Sequence, residues 1–149
     1  MSPPVSSGEY RVTDQVGHLL RRAYQRHTAI FQAVVPASQL GAAQFVVLCA
    51  VRDHPGATIG QIVEVTAMDE PAVRGIVERL RWSGQVAVEH VPGDKRHATV
   101  TLTEAGQRTI AATLPHAQQI TELTFGDLNA EERRQLVHLL RRISGADPG

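Results

Sequence analysis

Between Thr58 and Leu102 the chain sets out a helix start, a short helix, a turn, a second capped helix, a glycine stop and two alternating segments. That order constrains the fold more than any other feature. Thr58-Ile59-Gly60-Gln61 is a capping box, in which the threonine hydroxyl accepts from the third backbone N–H and Gln61 reaches back to the cap residue. Thr66-Ala67-Met68 supplies the turn. Asp69 is the next N-cap, and Pro71 stands in the first turn, where its missing N–H costs no helical bond. Val73, Ile76, Val77 and Leu80 then share one face, which leaves Ala72, Arg74, Gly75, Glu78, Arg79 and Arg81 outside, and Gly84 ends the helix. Gln85 to His90 alternates around Val86 and Val88, and Ala98 to Leu102 around Val100 and Leu102. The residues Val91-Pro92-Gly93-Asp94-Lys95-Arg96-His97 between them predict a loop too long for a tight turn. The expectation is a helix-turn-helix followed by a hairpin with a projecting wing.

Helical flanks enclose this unit. Val16, Leu19, Leu20, Ala23, His27, Ile30 and Val34 recur at helical spacing, predicting a first helix from about Thr13 to Val35, where Pro36 stops it. Leu40 to Asp53 predicts a second helix closed by His54-Pro55-Gly56. Its stripe of Leu40, Ala43, Val47, Leu48 and Val51 leaves Phe45 and Cys49 pointing elsewhere, so it is expected between two layers. Thr103 can cap a fifth helix reaching Phe125, with Pro115 kinking it or removing one hydrogen bond. Asn129 with Glu132 starts a sixth, carrying Leu136, Leu139, Leu140 and Ile143.

The fold class read from this pattern is mainly α with a small β-hairpin wing. Residues 1–11, with Pro3, Pro4, Ser6, Ser7 and Gly8, are expected to form a disordered tail, and 145–149 a flexible one. Residues 12–144 are expected to form one domain, its winged helix-turn-helix lobe (39–102) set between helical flanks at 12–35 and 103–144. The first, fifth and sixth helices all carry apolar stripes yet are separated in sequence by the lobe. A two-fold homodimer is the commonest way to cover such surfaces.

At 149 residues, 42% hydrophobic and 20% charged, the composition is that of a single globular domain. No apolar run approaches the ~18 residues of a membrane span, and Met1 to Gly8 lacks signal-peptide order, so a cytoplasmic protein is expected. Cys49 stands alone, and His18, His54, His90, His97, His116 and His138 show no ligand spacing, so no structural zinc or metal sensor is expected. A small enzyme finds no support in any Ser/His/Asp order, phosphate loop or carboxylate pair, and no catalytic residue is assigned. Net charge is zero, and Thr58 to Thr101 holds five cations against six carboxylates, a net of −1. Nucleic-acid binding must then depend on where charges sit, with a shallow salt dependence.

Leu80-Arg81-Trp82-Ser83-Gly84-Gln85-Val86, followed by Gly93-Asp94-Lys95-Arg96-His97 and Leu102-Thr103-Glu104-Ala105-Gly106, resembles the MarR family. The match is to that family's helix end, Asp-x-Arg wing and Leu-Thr-x-x-Gly entry to the fifth helix. The likeness runs from about Val12 to Ile143. It implies a homodimeric transcriptional regulator that binds double-stranded operator DNA and answers to a small-molecule effector. The first-helix run from Asp14 to His27 is similar to the repressors of nicotinate degradation within that family, which respond to hydroxynicotinate.

The resemblance also implies roles. Arg74 would donate to a guanine edge in the major groove, with Ala72, Gly75 and Arg79 beside it. Arg96 would enter a narrow minor groove, oriented by Asp94, while Lys95 and His97 contact phosphates. Thr58 and Gln61 add phosphate contacts or simply cap. For Arg74 the competing reading is an ion pair with Glu78. The hydroxyls that the family often carries along Pro71, Ala72 and Arg74 are almost absent, so its base contacts cannot be transferred wholesale.

The effector pocket of such folds lies where the first helix meets the second, the fifth and the lobe. There Tyr24, His27 and Phe31 with Phe45 and Cys49 could hold an aromatic ring, and Arg21, Arg22 or Arg26 its carboxylate. For His27 the alternative is a hydrogen-bonded core residue. No cofactor is expected beyond that small aromatic carboxylate. Two other readings stay open: a winged helix that binds protein instead of DNA, and a redox sensor using Cys49, against which stands the lack of an adjacent cation.

Overall fold

A computed structural model describes residues 10–36 and 40–145, without the side chains of Val91, Asp94, Lys95 and Arg96. Most of the two expected tails therefore lies outside the described residues. The helices are α1 (Val16–Val34), α2 (Ala42–Asp53), α3 (Ile59–Thr66), α4 (Glu70–Trp82), α5 (Glu104–Phe125) and α6 (Ala130–Ser144). Strands β1 (Ala57–Thr58), β2 (Val86–Val91) and β3 (Asp94–Leu102) form an antiparallel sheet in the order β1-β3-β2.

Local chemistry explains most boundaries. A 3₁₀ turn at Val12–Asp14 precedes α1, and Gln15, in extended backbone, accepts from the His18 N–H at 3.0 Å. The helix thus begins at Val16, three residues after the expected start. Thr58 and Gln61 form the capping box, with Oγ1 accepting from Gln61 N at 3.2 Å and Oε1 accepting from Thr58 N at 2.9 Å. Ala67 closes α3 in the left-handed region at φ 57°. Asp69 accepts from Ala72 N at 2.8 Å and so caps α4. Asp69→Ala should lower stability by ~1 kcal/mol, seen as a drop in the urea midpoint at unchanged slope.

The expected seven-residue loop is a correction. Strand β3 already begins at Asp94, which pairs with Val91, so the turn is only Pro92-Gly93. Proline presets the first turn position and Gly93, at φ +85°, takes the left-handed second position, the combination of a type II turn. Lys95, Arg96 and His97 consequently sit on a strand. The pairing of Ala57 with Val100 and Thr58 with Thr99 was also unforeseen. Two residues are too few to show a period.

Val47, Leu48 and Val51 of α2 are fully buried with Ile62, Val73 and Val100 in the lobe core. The opposite side of α2 meets a smaller cluster of Phe31, Val35 and Ile120, where the Phe31 and Phe45 rings stand 5.9 Å apart. α2 is thus sandwiched between two layers, as its two-sided apolar pattern requires. Helix α5 continues on both sides of Pro115. Its start is stitched to the α4–β2 turn: Thr103 Oγ1 donates to Gly84 O at 2.6 Å, and Thr103 N donates to Gln85 O at 3.1 Å.

Candidate functional site

Helix α4 carries two outward ridges, because residues three and four apart are neighbours on a helix. One holds Glu70, Arg74, Glu78 and Arg81. Arg74 donates to Glu70 Oε1 at 3.1 Å, one turn back, and not to Glu78. Glu78 is taken by Arg81 at 2.5 Å and by the Trp82 indole N–H at 3.0 Å. The Arg81 guanidinium holds the Glu78 carboxyl below the usual carboxylate range. The alternative reading of Arg74, a pair with Glu78, is therefore replaced by the pair with Glu70, since Glu78 has two partners closer to the helix end.

The other ridge holds Ala72, Gly75 and Arg79. Ala72 and Gly75 are half-buried and small, so a surface can approach the backbone there. The Arg79 guanidinium lies 3.8 Å from where a Cβ on Gly75 would be. Between the first ridge and the wing, Ile59, Arg74, Arg81, His90 and Ala98 line a cleft of about 350 Å³. Glu78 lines the same wall and pairs with Arg81, so an anionic strand gripped here would be held chiefly by Arg74 in exchange for Glu70, with a β-ribbon as the other wall. Thr58 and Gln61 are not among the cleft's lining residues and cap the start of α3 mutually. His97 is exposed on β3. Asp94, Lys95 and Arg96 are on the same strand, and their side chains lie outside the described structure.

The residues expected around an aromatic effector are divided among different tasks. Phe31 and Phe45 pack together in the smaller core. Arg26 donates to the carbonyls of Leu123 and Thr124, both at 2.7 Å, and so satisfies the last turn of α5, whose carbonyls have no helical partner. His27 Nδ1 lies 2.9 Å from Thr124 Oγ1, and that hydroxyl already donates to Ile120 O at 2.7 Å. With one hydrogen on the hydroxyl, the His27 proton must sit on Nδ1. Arg21, Arg22 and Tyr24 are exposed on α1.

Cys49 is half-buried, and desolvation pushes its thiol pKa up against the opposing pull of Arg52. Less thiolate at neutral pH means a slower nucleophile. Modification of Cys49 by a disulfide reagent at pH 7.5 should run several-fold slower in the native protein than in urea, and an accelerated native rate would restore a redox role.

A second cleft, of about 600 Å³, opens where the start of α2, the end of α4 and the first turns of α5 meet. Arg79, Arg108, Gln44, Gln85, Leu40 and Leu80 line it. Arg108 was not singled out in the sequence. Nothing local marks it, because its neighbours assemble only when α5 packs against the α4–β2 turn. Among the described residues no helix is long and apolar enough to cross a membrane, and no group of three or more His, Cys, Asp or Glu could hold a metal ion.

Known proteins share this architecture. The MarR family model matches residues 38–97, which span the lobe from before α2 into β3. The HTH-type transcriptional repressor NicR of Pseudomonas putida is 48% identical over 146 residues, covering 98% of this chain and 92% of that protein. The solved structure of Bordetella bronchiseptica BpsR, whose DNA binding is regulated by 6-hydroxynicotinic acid, is 50% identical with a TM-score of 0.86, covering 93% and 99% of the two chains. A mutant MarR of E. coli complexed with operator DNA is 25% identical with a TM-score of 0.78, covering 90% of this chain and 99% of that one. With near-complete mutual coverage at close to half identity, this chain belongs to the MarR family.

Proposed function

We propose that this chain is a ligand-responsive transcriptional repressor that binds operator DNA as a homodimer and is released by a small aromatic acid of the hydroxynicotinate type. The observation that carries the reading is the 50% identity, over almost the whole of both chains, to a protein whose DNA binding 6-hydroxynicotinic acid regulates. The fold supports it independently. Helix α6 has no buried residue, and its Leu139 and Ile143 are 50% and 64% exposed, as are Leu19 and Tyr24 of α1 at 50% and 59%. A monomer gains nothing from such faces, whereas a two-fold pair buries them.

In that dimer the two α4 helices enter successive major grooves about one helical turn apart, with the wings over flanking minor grooves. The ligand acts by favouring a conformation whose helices are wrongly spaced, and only to the extent that it binds that conformation more tightly. Every function in this scheme is one of binding, carried out in the cytoplasm where the operator is found.

Gel shift with the DNA upstream of the chain's own gene, with and without 6-hydroxynicotinate, is the test. A sequence-dependent shift reversed by the acid is expected, from a species of twice the 16.2 kDa chain mass by light scattering. A strictly monomeric protein, or one showing no sequence-dependent shift, would sink the reading and favour a protein-binding winged helix.

A further inference from the structure

Two clefts border the outward side of α4, and they differ in charge. On the wing side Arg74 and Arg81 share theirs with Glu78, and both guanidiniums are already paired, Arg74 with Glu70 and Arg81 with Glu78. The other, of about 600 Å³, lies between α4, the start of α2 and the first turns of α5, and among the described residues no Asp or Glu lines it. Arg79 lines it from α4 and Arg108 from α5. Both are exposed, and neither has a hydrogen-bond or ion-pair partner among the described residues. Glu104, one turn before Arg108, has the spacing for an ion pair and makes none.

Gln44 adds a neutral donor to the same surface. Its Oε1 accepts from the Gly41 N–H at 3.2 Å, which leaves the two Nε2 hydrogens, and these have no acceptor among the described residues. Donors from three helices thus line one concave surface that offers them no carboxylate. Their spacing is held, because Thr103 donates from Oγ1 to Gly84 O at 2.6 Å and from N to Gln85 O at 3.1 Å, fastening α5 to the end of α4. Like charges on one surface repel, and an anion between them turns that repulsion into attraction. The cleft is also continuous with the DNA face, since Arg79 closes the outward ridge of Ala72 and Gly75.

We propose that this cleft is a second phosphate seat for operator DNA, in which Arg108 of α5, with Arg79 and the Gln44 amide, holds one backbone of the major groove while the wing-side cleft faces the other. This rests on the preceding reading of α4 as the groove-entering helix and deepens it, by adding a contact from outside the winged lobe. The major groove is about 12 Å wide, so a helix lying in it has a phosphate backbone along each side. On the wing side a phosphate must displace Glu70 or Glu78 from an arginine, whereas Arg79 and Arg108 give up no internal ion pair. A phosphate contact carries no base information, so Arg108 contributes affinity and register instead of sequence preference. Because Arg108 stands on a flanking helix, operator affinity then depends on how α5 sits against the lobe.

Gel-shift titrations of wild type, Arg108→Ala and Arg108→Lys test this, with the DNA upstream of the chain's own gene and with an unrelated duplex of equal length, over about 50 to 200 mM salt. Thermal melts and light scattering confirm that each variant is a folded dimer. A dimer of Arg108→Ala loses two phosphate contacts, so the slope of log affinity against log salt should fall by about 1.8, and affinity at ~0.15 M salt by at least about tenfold, on both duplexes. Arg108→Lys keeps the charge and should keep the wild-type slope. Wild-type affinity and slope in Arg108→Ala overturn the seat and leave operator binding by α4 intact. A loss confined to the upstream DNA makes Arg108 a sequence-reading or positioning residue and also overturns it, as does a slope in Arg108→Lys as low as in Arg108→Ala. Wild type that binds neither duplex overturns both the seat and the reading beneath it.

Discussion

Replacing Gly106 by alanine is expected to destabilise the protein by ~2–4 kcal/mol, at or above the upper range for overpacking. A Cβ there would stand 2.2 Å from the Gln85 carbonyl oxygen and 2.6 Å from Leu102 Cδ1. Leu102 could rotate. The carbonyl cannot, because it is backbone held by the Thr103 N–H at 3.1 Å. Alanine favours a helix interior by ~1 kcal/mol over glycine, which offsets only part of the clash. Relief must come from lifting α5 off the α4–β2 turn, so the junction between lobe and flank should loosen with the loss of stability. Urea denaturation at fixed protein concentration reads this directly, since a dimer's stability depends on concentration. Equal or greater stability in Gly106→Ala would show that the close approach of α5 is not maintained in solution.

The second large effect concerns DNA. Arg74→Ala should weaken operator binding by ~1–3 kcal/mol, or about five- to 150-fold, and flatten discrimination at one base pair. Its neighbour predicts the opposite sign. In the free protein Arg74 is held by Glu70 in an exposed pair, their side chains 61% and 59% accessible, and such pairs contribute ~0–1 kcal/mol to stability. Glu70→Gln should therefore leave folding nearly unchanged while freeing the guanidinium and removing a negative charge from the DNA face. Tighter operator binding is the expected result. Competition gel shifts with the operator and single-base variants measure both. Uniform weakening across all sequences would make Arg74 a phosphate contact, and unchanged affinity would remove α4 from the interface.

Part of this site is legible in the order of residues alone. Asp69, Thr103 and Asn129 cap their helices as read, each accepting from a backbone N–H three residues on. Val73, Ile76, Val77 and Leu80 are buried on α4, while Arg74 and Arg79 are outside. Arg74 shows where such reading runs out. Both Glu70 and Glu78 are four residues away, and spacing cannot rank them. The choice fell to Glu70 because Arg81 and Trp82 bind Glu78.

What the chain determined by itself is whatever depends on groups within about one helical turn: caps, breakers and the buried faces of α2 and α4, though not the Pro92-Gly93 turn, where the pattern predicts a longer loop. What only the tertiary structure decided joins distant residues. Arg26 reaches carbonyls 97 and 98 positions away, and His27 meets Thr124 across the same gap. Ala57 pairs with Val100, and Arg79 shares a cleft with Arg108. Local hydrogen bonds are selected by spacing that can be counted along the chain. Contacts between elements are selected by how whole faces pack, and a side chain's partner there depends on every element that arrives at the same place.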